Sequence, residues 1–237
     1  MKQHSLNQIL KLVEKRQSSR GPFNPHRKVS MKNLTMIIEA TRWAPTAHNM
    51  QNFEIFLVDD ERLLKTIGNI QVRISETFLR ENYNQMSFSK EELLRKKVGV
   101  LGTMFPPLWR DPSKLHMLAL SPPRPLSETI QGSPSILIVT YDPRKRAPAS
   151  KGDFLGILSL GCVMENMWLV AQSLGIGFQV ISVFSGKSVE SKLKSVLRIP
   201  KYMKIAYAIR LGYPTKPNRY LRVRLNTTTF VHHNVQK

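Results

Sequence analysis

Cysteine is nearly absent from this 237-residue chain: Cys162 stands alone, so no intrachain disulfide can form, which fits a reducing compartment. The signatures of several enzyme chemistries are missing as well. No G-x-S-x-G elbow, H-E-x-x-H pair, P-loop or G-x-G-x-x-G run occurs. His232 and His233 are adjacent, so their side chains diverge, and with no Cys cluster nearby no metal site is expected. Cys162 falls inside an apolar stretch, as an inert core thiol does. Asp153 and Glu165 have no obvious partner carboxylate, so paired acid–base chemistry has no basis here. The opening residues MKQHSLNQILKLVEKRQ read as an amphipathic helix without the apolar core of a signal peptide, and a cytoplasmic protein is expected.

Acidic residues are scarce. Sixteen Asp and Glu face 36 Lys and Arg, a formal charge of +20, and no acid at all follows Glu190. Such an excess attracts polyanions: nucleic acid, anionic membrane or phosphorylated ligands. A basic tail that only tracks a nucleic-acid backbone is poor in apolar residues. Here Ile205, Tyr207, Ile209 and Leu211 alternate with Lys204, Ala206, Ala208 and Arg210, the pattern of a half-buried strand whose charge decorates a folded element. No zinc-finger spacing, RNP-like aromatic motif or helix-turn-helix pattern accompanies it, so nucleic acid is not the expected main partner. A 41% hydrophobic content excludes a wholly disordered chain.

Periodicity predicts helices and strands in mixed order within one domain spanning 1–237. A helix over 5–16 has Ser5 as candidate N-cap and Leu6, Ile9, Leu10 and Val13 as its apolar stripe. A second, over Met31–Trp43, has Ser30 as cap and ends before Pro45, which pushes Ala44 toward an extended conformation. In the strand that follows, Phe53, Ile55 and Leu57 face one way and Phe56 and Val58 the other. Residues 60–100 read as charged helical pieces. The proline-rich stretch 101–134 reads as either a surface excursion or a lid. Ser135–Tyr141 is a buried strand, 153–174 a long apolar helix, and Gly175 its terminator. That helix has membrane-span length, but Asp153, Glu165, Asn166 and Gln172 favour a core helix, at a subunit interface if one exists. The strand Phe178–Phe184, a helix near Ser188–Val196 and the strand Lys204–Leu211 complete the order.

Two segments carry unusual polar content at helix edges. In Arg16-Gln17-Ser18-Ser19-Arg20, two guanidinium groups around a hydroxyl suit a phosphate monoester, although Arg-Ser-rich helix ends are commonplace. In Ala44-Pro45-Thr46-Ala47-His48-Asn49-Met50-Gln51-Asn52, the amides could read the edge of a planar heterocycle, and turn formation alone would also account for them.

The order of these segments, with a third, resembles the nitroreductase family of FMN-dependent oxidoreductases. That family opens with a helix ending R-x-S-x-R, here Arg16, Ser18 and Arg20, and follows it with A-P-S-x-x-N-x-Q-P-W, here Ala44 to Phe53. It closes with a helix ending G-x-G (Gly175, Gly177), then L-x-I-P (Leu197 to Pro200) and G-Y-P (Gly212 to Pro214). Arg222 and Arg224 followed by Val231-His232-His233-Asn234 also fit. Asn52-Phe53 replaces the usual Pro-Trp and Thr46 replaces Ser. The resemblance implies an α+β fold with a central, mostly antiparallel sheet flanked by helices, built as an intertwined homodimer with two FMN sites at the subunit interface. It implies that Arg16, Ser18, Arg20 and one of Arg222 or Arg224 hold the FMN phosphate, with Gln17 at the ribityl or phosphate. Pro45, Thr46, Asn49 and Gln51 would line the flavin from the partner subunit, and the strand segment Ile181-Ser182-Val183 would pass beside its N5. The implied activity takes hydride from NAD(P)H, through the flavin, to nitroaromatics, quinones or similar planar acceptors by ping-pong turnover. The alternatives are a specialised family chemistry, such as reductive dehalogenation or flavin processing, and a polyanion-binding protein with a vestigial flavin site.

Overall fold

In the computed structural model, which describes residues 2–73, 115–217 and 226–233 with the isolated positions 75–77, 79, 113 and 224, the apolar run Ser135–Tyr141 becomes an inner strand of a four-stranded sheet. The strands are β1 (Glu54–Val58), β2 (Ser135–Tyr141), β3 (Gly177–Ile181) and β4 (Lys204–Gly212). Their spatial order is β1-β2-β4-β3, and every ladder is antiparallel. β2 and β4 are both inner strands with helices on either face, so their apolar residues do not alternate with polar ones but run continuously. Ile136, Leu137, Ile138 and Val139 are all fully buried.

Helices α2 (Met31–Glu39) and α4 (Phe154–Ser173) cover one face, where Leu34, Ile37, Val163 and Met167 pack with Leu137, Val139, Ile209 and Leu211. On the opposite face, Ile67 of α3 (Glu61–Gly68) and Val189 and Leu193 of α5 (Lys187–Leu197) pack with Ile136, Ile138 and Ala208. β1 divides as its alternation predicts: Phe53, Ile55 and Leu57 join the first cluster, Phe56 and Val58 the second.

Local signals are mostly obeyed. The Ser30 hydroxyl accepts from the Asn33 N–H at 3.3 Å, and Asp60 does the same for Leu63 at 2.9 Å. Ala44 is extended (ψ 132°) ahead of Pro45. Gly175, at φ +67°, closes α4, with the Ile176 N–H returning to the Ala171 carbonyl at 2.9 Å. The departures have physical reasons. α1 runs Lys2–Lys15, so Ser5 lies inside the helix and is not its cap. The second helix tightens to a 3-10 turn over Ala40–Trp43 as the Thr41 hydroxyl bonds back to the Ile38 carbonyl. β3 stops at Ile181, and Ser182–Ser185 is a 3-10 turn rather than strand, since the Ser185 hydroxyl bonds the Ser182 carbonyl at 2.7 Å and competes with the ladder.

β4 departs most. Expected to be half-buried with charge outward, it lies between β2 and β3 and is buried on both faces, and Arg210 is 0% exposed. α4 is the one described helix with the length and mean hydropathy of a membrane span, and five of its side chains (Leu160, Val163, Met167, Trp168, Ala171) are buried in the core. Of the proline-rich stretch, 101–112 lies outside the described residues, whereas Leu115–Ala119 and Ser127–Ile130 are short helices. Most of 74–100 also lies outside them. The chain gathers into two compact units, 1–72 with 125–217 and 73–124 with 218–237. The sheet belongs to the first. In the second, Glu76 lies 3.6 Å from His116, and the Asn226 side chain caps the turn Thr227–Thr229.

Candidate functional site

α1 ends where Arg16 makes its last helical bond, to the Leu12 carbonyl at 3.0 Å. The chain then runs beside β3, with the Ser19 N–H donating to the Phe178 carbonyl at 2.9 Å. Ser19 is buried, while Arg16, Gln17, Ser18 and Arg20 stay half-buried with surface access. The one-residue spacers of R-x-S-x-R thus set the buried anchor Ser19 between residues that keep surface access.

α4 holds Arg16 in place. The Arg16 guanidinium forms an ion pair with Glu165 (Nε to Oε1, 3.3 Å) and lies 4.5 Å over the Trp168 ring. Trp168 in turn stacks on Phe178 at 4.9 Å and donates its indole N–H to the Gln17 carbonyl at 3.2 Å. Glu165, without a partner carboxylate in the sequence, has an arginine for a partner. The only signal for it was a lone acid in an otherwise apolar helix.

Beneath the segment lies Arg210. Its Nε donates to the Gln179 side-chain oxygen (2.7 Å), Nη1 to the Ile130 carbonyl (2.9 Å), and Nη2 to the carbonyls of Ser19 (3.0 Å) and Gly21 (2.7 Å). Its guanidinium lies 4.4 Å over the Phe23 ring. Phe23 explains two of the motif glycines. A Cβ on Gly212 would come within 2.8 Å of Phe23, and one on Gly177 within 2.6 Å. The G-x-G and G-Y-P glycines therefore clear space for an aromatic ring that the sequence gives no reason to place there.

The Ala44–Asn52 segment forms a tight surface loop. His48, Asn49 and Gln51 all have positive φ (51°, 52° and 46°), a left-handed conformation that non-glycine residues seldom adopt. The Thr46 hydroxyl accepts from the Gln51 N–H at 3.2 Å, and the Gln51 amide donates to the Asn49 Oδ1 at 3.1 Å. Ser159 of α4 accepts from the Ala47 N–H at 2.9 Å. Asn52 clamps the far end: its amide donates to the carbonyls of Asp142 (2.9 Å) and Lys145 (3.2 Å), and its oxygen accepts from the Asp142 N–H (3.1 Å). This is why a proline is dispensable at 52: the clamp fixes the exit that a ring would otherwise fix. Two bonds from Arg144, which itself lies over Tyr202, hold the Asp142 carboxyl down to about 2. Pro45, Asn49 and Gln51 are exposed and Thr46 half-buried.

Both segments therefore dock on α4, Ala47 at Ser159 and Arg16 at Glu165, about 9 Å apart along the helix at 1.5 Å per residue. Ser182, exposed, and Val183, half-buried, lie four and five residues along the chain from Phe178, the partner of Ser19. Arg224 is exposed and belongs to the second unit. Arg222 lies outside the described residues.

The nitroreductase family model matches residues 13–213, most of the chain. The chain belongs to the nitroreductase family. The fold agrees: a nitroreductase with bound FMN from Bacteroides fragilis superposes with a TM-score of 0.58 at 17% identity, over 95% of this chain and 98% of that one. A nitroreductase with bound FMN from Desulfitobacterium hafniense gives 0.57 at 17% identity, over 94% and 96%. A candidate NADH dehydrogenase/NAD(P)H nitroreductase from Parabacteroides distasonis gives 0.57 at 18%, over 97% and 99%. The chain is thus an oxidoreductase of α+β nitroreductase fold. The family match contains Arg16–Arg20, the 44–53 loop and the turn after β3, and stops before Arg222 and Arg224.

Proposed function

We propose that this nitroreductase-family chain binds FMN and passes reducing equivalents from NAD(P)H to a planar acceptor such as a nitroaromatic or quinone. One observation carries the reading: two arginines and a serine hydroxyl, anchored from behind by β3 and α4, share one short segment that keeps access to solvent. This donor set fits a phosphate monoester, since each guanidinium can fork onto phosphate oxygens and the hydroxyl adds a neutral donor. Arg16, Ser18 and Arg20 would hold the phosphate, with Arg222 or Arg224 adding charge. Gln17, its carbonyl taken by Trp168, keeps its side chain for the ribityl chain or phosphate. Bound FMN supplies hydride chemistry that no side chain here offers. Ser182 and Val183 would stand beside the ring near N5. Thr46 and the Asn49–Gln51 amide pair would present hydrogen-bonding groups to the flavin of a neighbouring subunit, with Pro45 packing there.

A homodimer accords with surfaces a lone subunit leaves uncovered. Leu6, Ile9, Leu10 and Val13 of α1 are exposed, as are Phe154, Ile157 and Leu158 of α4. Between α2 and α4, an open groove of about 580 Å³ is lined by Met36, Trp43, Leu169 and Val170. Apolar faces of this extent mark interaction sites. Donor and acceptor would use one slot in turn, which is ping-pong turnover. Reductive dehalogenation or flavin processing would use the same phosphate segment and differ in the acceptor.

The test is direct. The purified protein is expected to be yellow, to bleach anaerobically with NADH or NADPH, and to recover its colour when an acceptor from a nitroaromatic and quinone panel is added. A protein that stays colourless after incubation with FMN refutes the reading. Affinity for DNA or RNA that collapses as salt rises would favour the polyanion reading instead.

A further inference from the structure

We infer that Arg210 is a positioning residue for the phosphate-binding segment: buried behind it, the guanidinium fixes the carbonyls of Ser19 and Gly21, on either side of Arg20, and so sets where Ser18 and Arg20 are presented. The inference rests on the reading of 16–20 as the flavin phosphate site. Its strand neighbours Ile209 and Leu211 are fully buried and apolar, and an apolar side chain at 210 would suit the sheet without the cost of desolvating a cation. What the arginine adds is reach. One planar fork ties β3 at Gln179, the helix end at Ile130 and two carbonyls of the segment. Both segment carbonyls are held by the same nitrogen, at 3.0 and 2.7 Å. Because peptide units are rigid planes, pinning the carbonyls at 19 and 21 restricts the backbone of Arg20 between them. Phe23, itself clamped by Gly177 and Gly212, closes the far face of the guanidinium and keeps the fork from swinging. A lysine ammonium, a point charge with three rotatable donors, cannot span these acceptors.

The full-length chain is tested by measuring the Kd for FMN and for riboflavin, which lacks the phosphate, in wild type, Arg210→Met and Arg210→Lys, with far-ultraviolet circular dichroism to establish folding. The expected result is an FMN affinity about tenfold or more weaker in both variants, with riboflavin affinity changed by less than about twofold. Should neither variant fold, Gln179→Leu frees the Nε end of the fork while leaving Arg210 in place, and a selective FMN loss of several-fold is expected. Equal losses for both ligands would reduce Arg210 to a structural role, and unchanged FMN affinity would remove its role altogether; either overturns the inference. Wild type that binds FMN no more tightly than riboflavin removes the phosphate-site reading and this inference with it. Wild type that discriminates, with variants that discriminate equally, removes the inference alone.

Discussion

Trp168 ties the sheet, the long helix and the segment 16–20 together, and its replacement separates what each contact contributes. Trp168→Phe keeps a ring between Phe178 and Arg16 but loses the bond to the Gln17 carbonyl, a net contribution of about 1 kcal/mol. Trp168→Leu also loses the aromatic stack, about 0.5–1.5 kcal/mol, and the cation–π contact, about 0.5–1 kcal/mol for a half-buried guanidinium that keeps solvent access. The expected losses are therefore about 1 and about 2–3.5 kcal/mol, before any cavity cost. For a chain of this length each kcal/mol lowers Tm by about 2–4 °C. Urea denaturation of both variants gives the ordering, and a double-mutant cycle with Arg16→Met isolates the cation–π share. FMN affinity should fall in step, since Arg16 loses one of the surfaces that hold it. If Trp168→Leu is no less stable than Trp168→Phe, the ring contacts contribute nothing and the account of a preset Arg16 fails.

Asn52→Ala removes three hydrogen bonds at once and leaves the Asp142 N–H without its partner, so a loss of about 2–3 kcal/mol is expected in urea denaturation. Gly212→Ala drives a Cβ to 2.8 Å from buried Phe23, an overpacking that should cost about 1–3 kcal/mol and lower Tm accordingly. Asp142 has its pKa lowered from 3.8 to about 2 by Arg144, so what it contributes is present above about pH 4 and lost as pH falls toward 2; Asp142→Asn should flatten the decline of Tm across that window. Raising NaCl from about 0.05 to 0.3 M should raise Tm, because screening relieves the self-repulsion of a +20 chain while buried carbonyl contacts are hardly screened; a falling Tm would show that exposed ion pairs dominate.

The sheet and its main helices were legible because their signals are local. A run such as Ser135–Tyr141 or a cap such as Ser30 states its structure within a few residues. The segment 16–20, proposed to hold phosphate, stood out as a spacing, but its support did not. Arg210 lies 191 residues from Ser19, and alternation along β4 made it a surface charge because the pattern cannot say that neighbouring strands and helices enclose both faces. Phe23 was invisible for the same reason, although Gly177 and Gly212 carried its imprint as a demand for space. The turn at Ser182 was read as strand because β-branched residues continue past Ile181; the serine hydroxyl at 185 decided otherwise.

The shortage of acid has a consequence for how the basic residues are held. Among the described residues, Glu39, Glu61, Asp142, Asp153, Glu165 and Glu190 pair with Lys or Arg, and with 16 acids for 36 Lys and Arg, one-to-one pairing would leave at least 20 of the cations without an acid of their own. Aromatic faces and carbonyls supplement the acids. Arg16 lies over Trp168 and Arg144 over Tyr202 beside their acids Glu165 and Asp142, while Arg27 lies over Tyr213 and Arg210 over Phe23, and Arg210 adds three backbone carbonyls. Such partners orient a guanidinium without neutralising it. An acid would lower the positive potential where it fixed the arginine, whereas a ring or carbonyl leaves nearly the whole charge available to an anion. At 16–20 the two modes meet: Arg16 is partly neutralised by Glu165, and the segment beside it is held by a buried cation that carries no acid into the site through these four bonds. If 16–20 binds phosphate as proposed, that arrangement serves it, because the Arg210 fork sets the backbone of the segment without competing with the ligand for its charge.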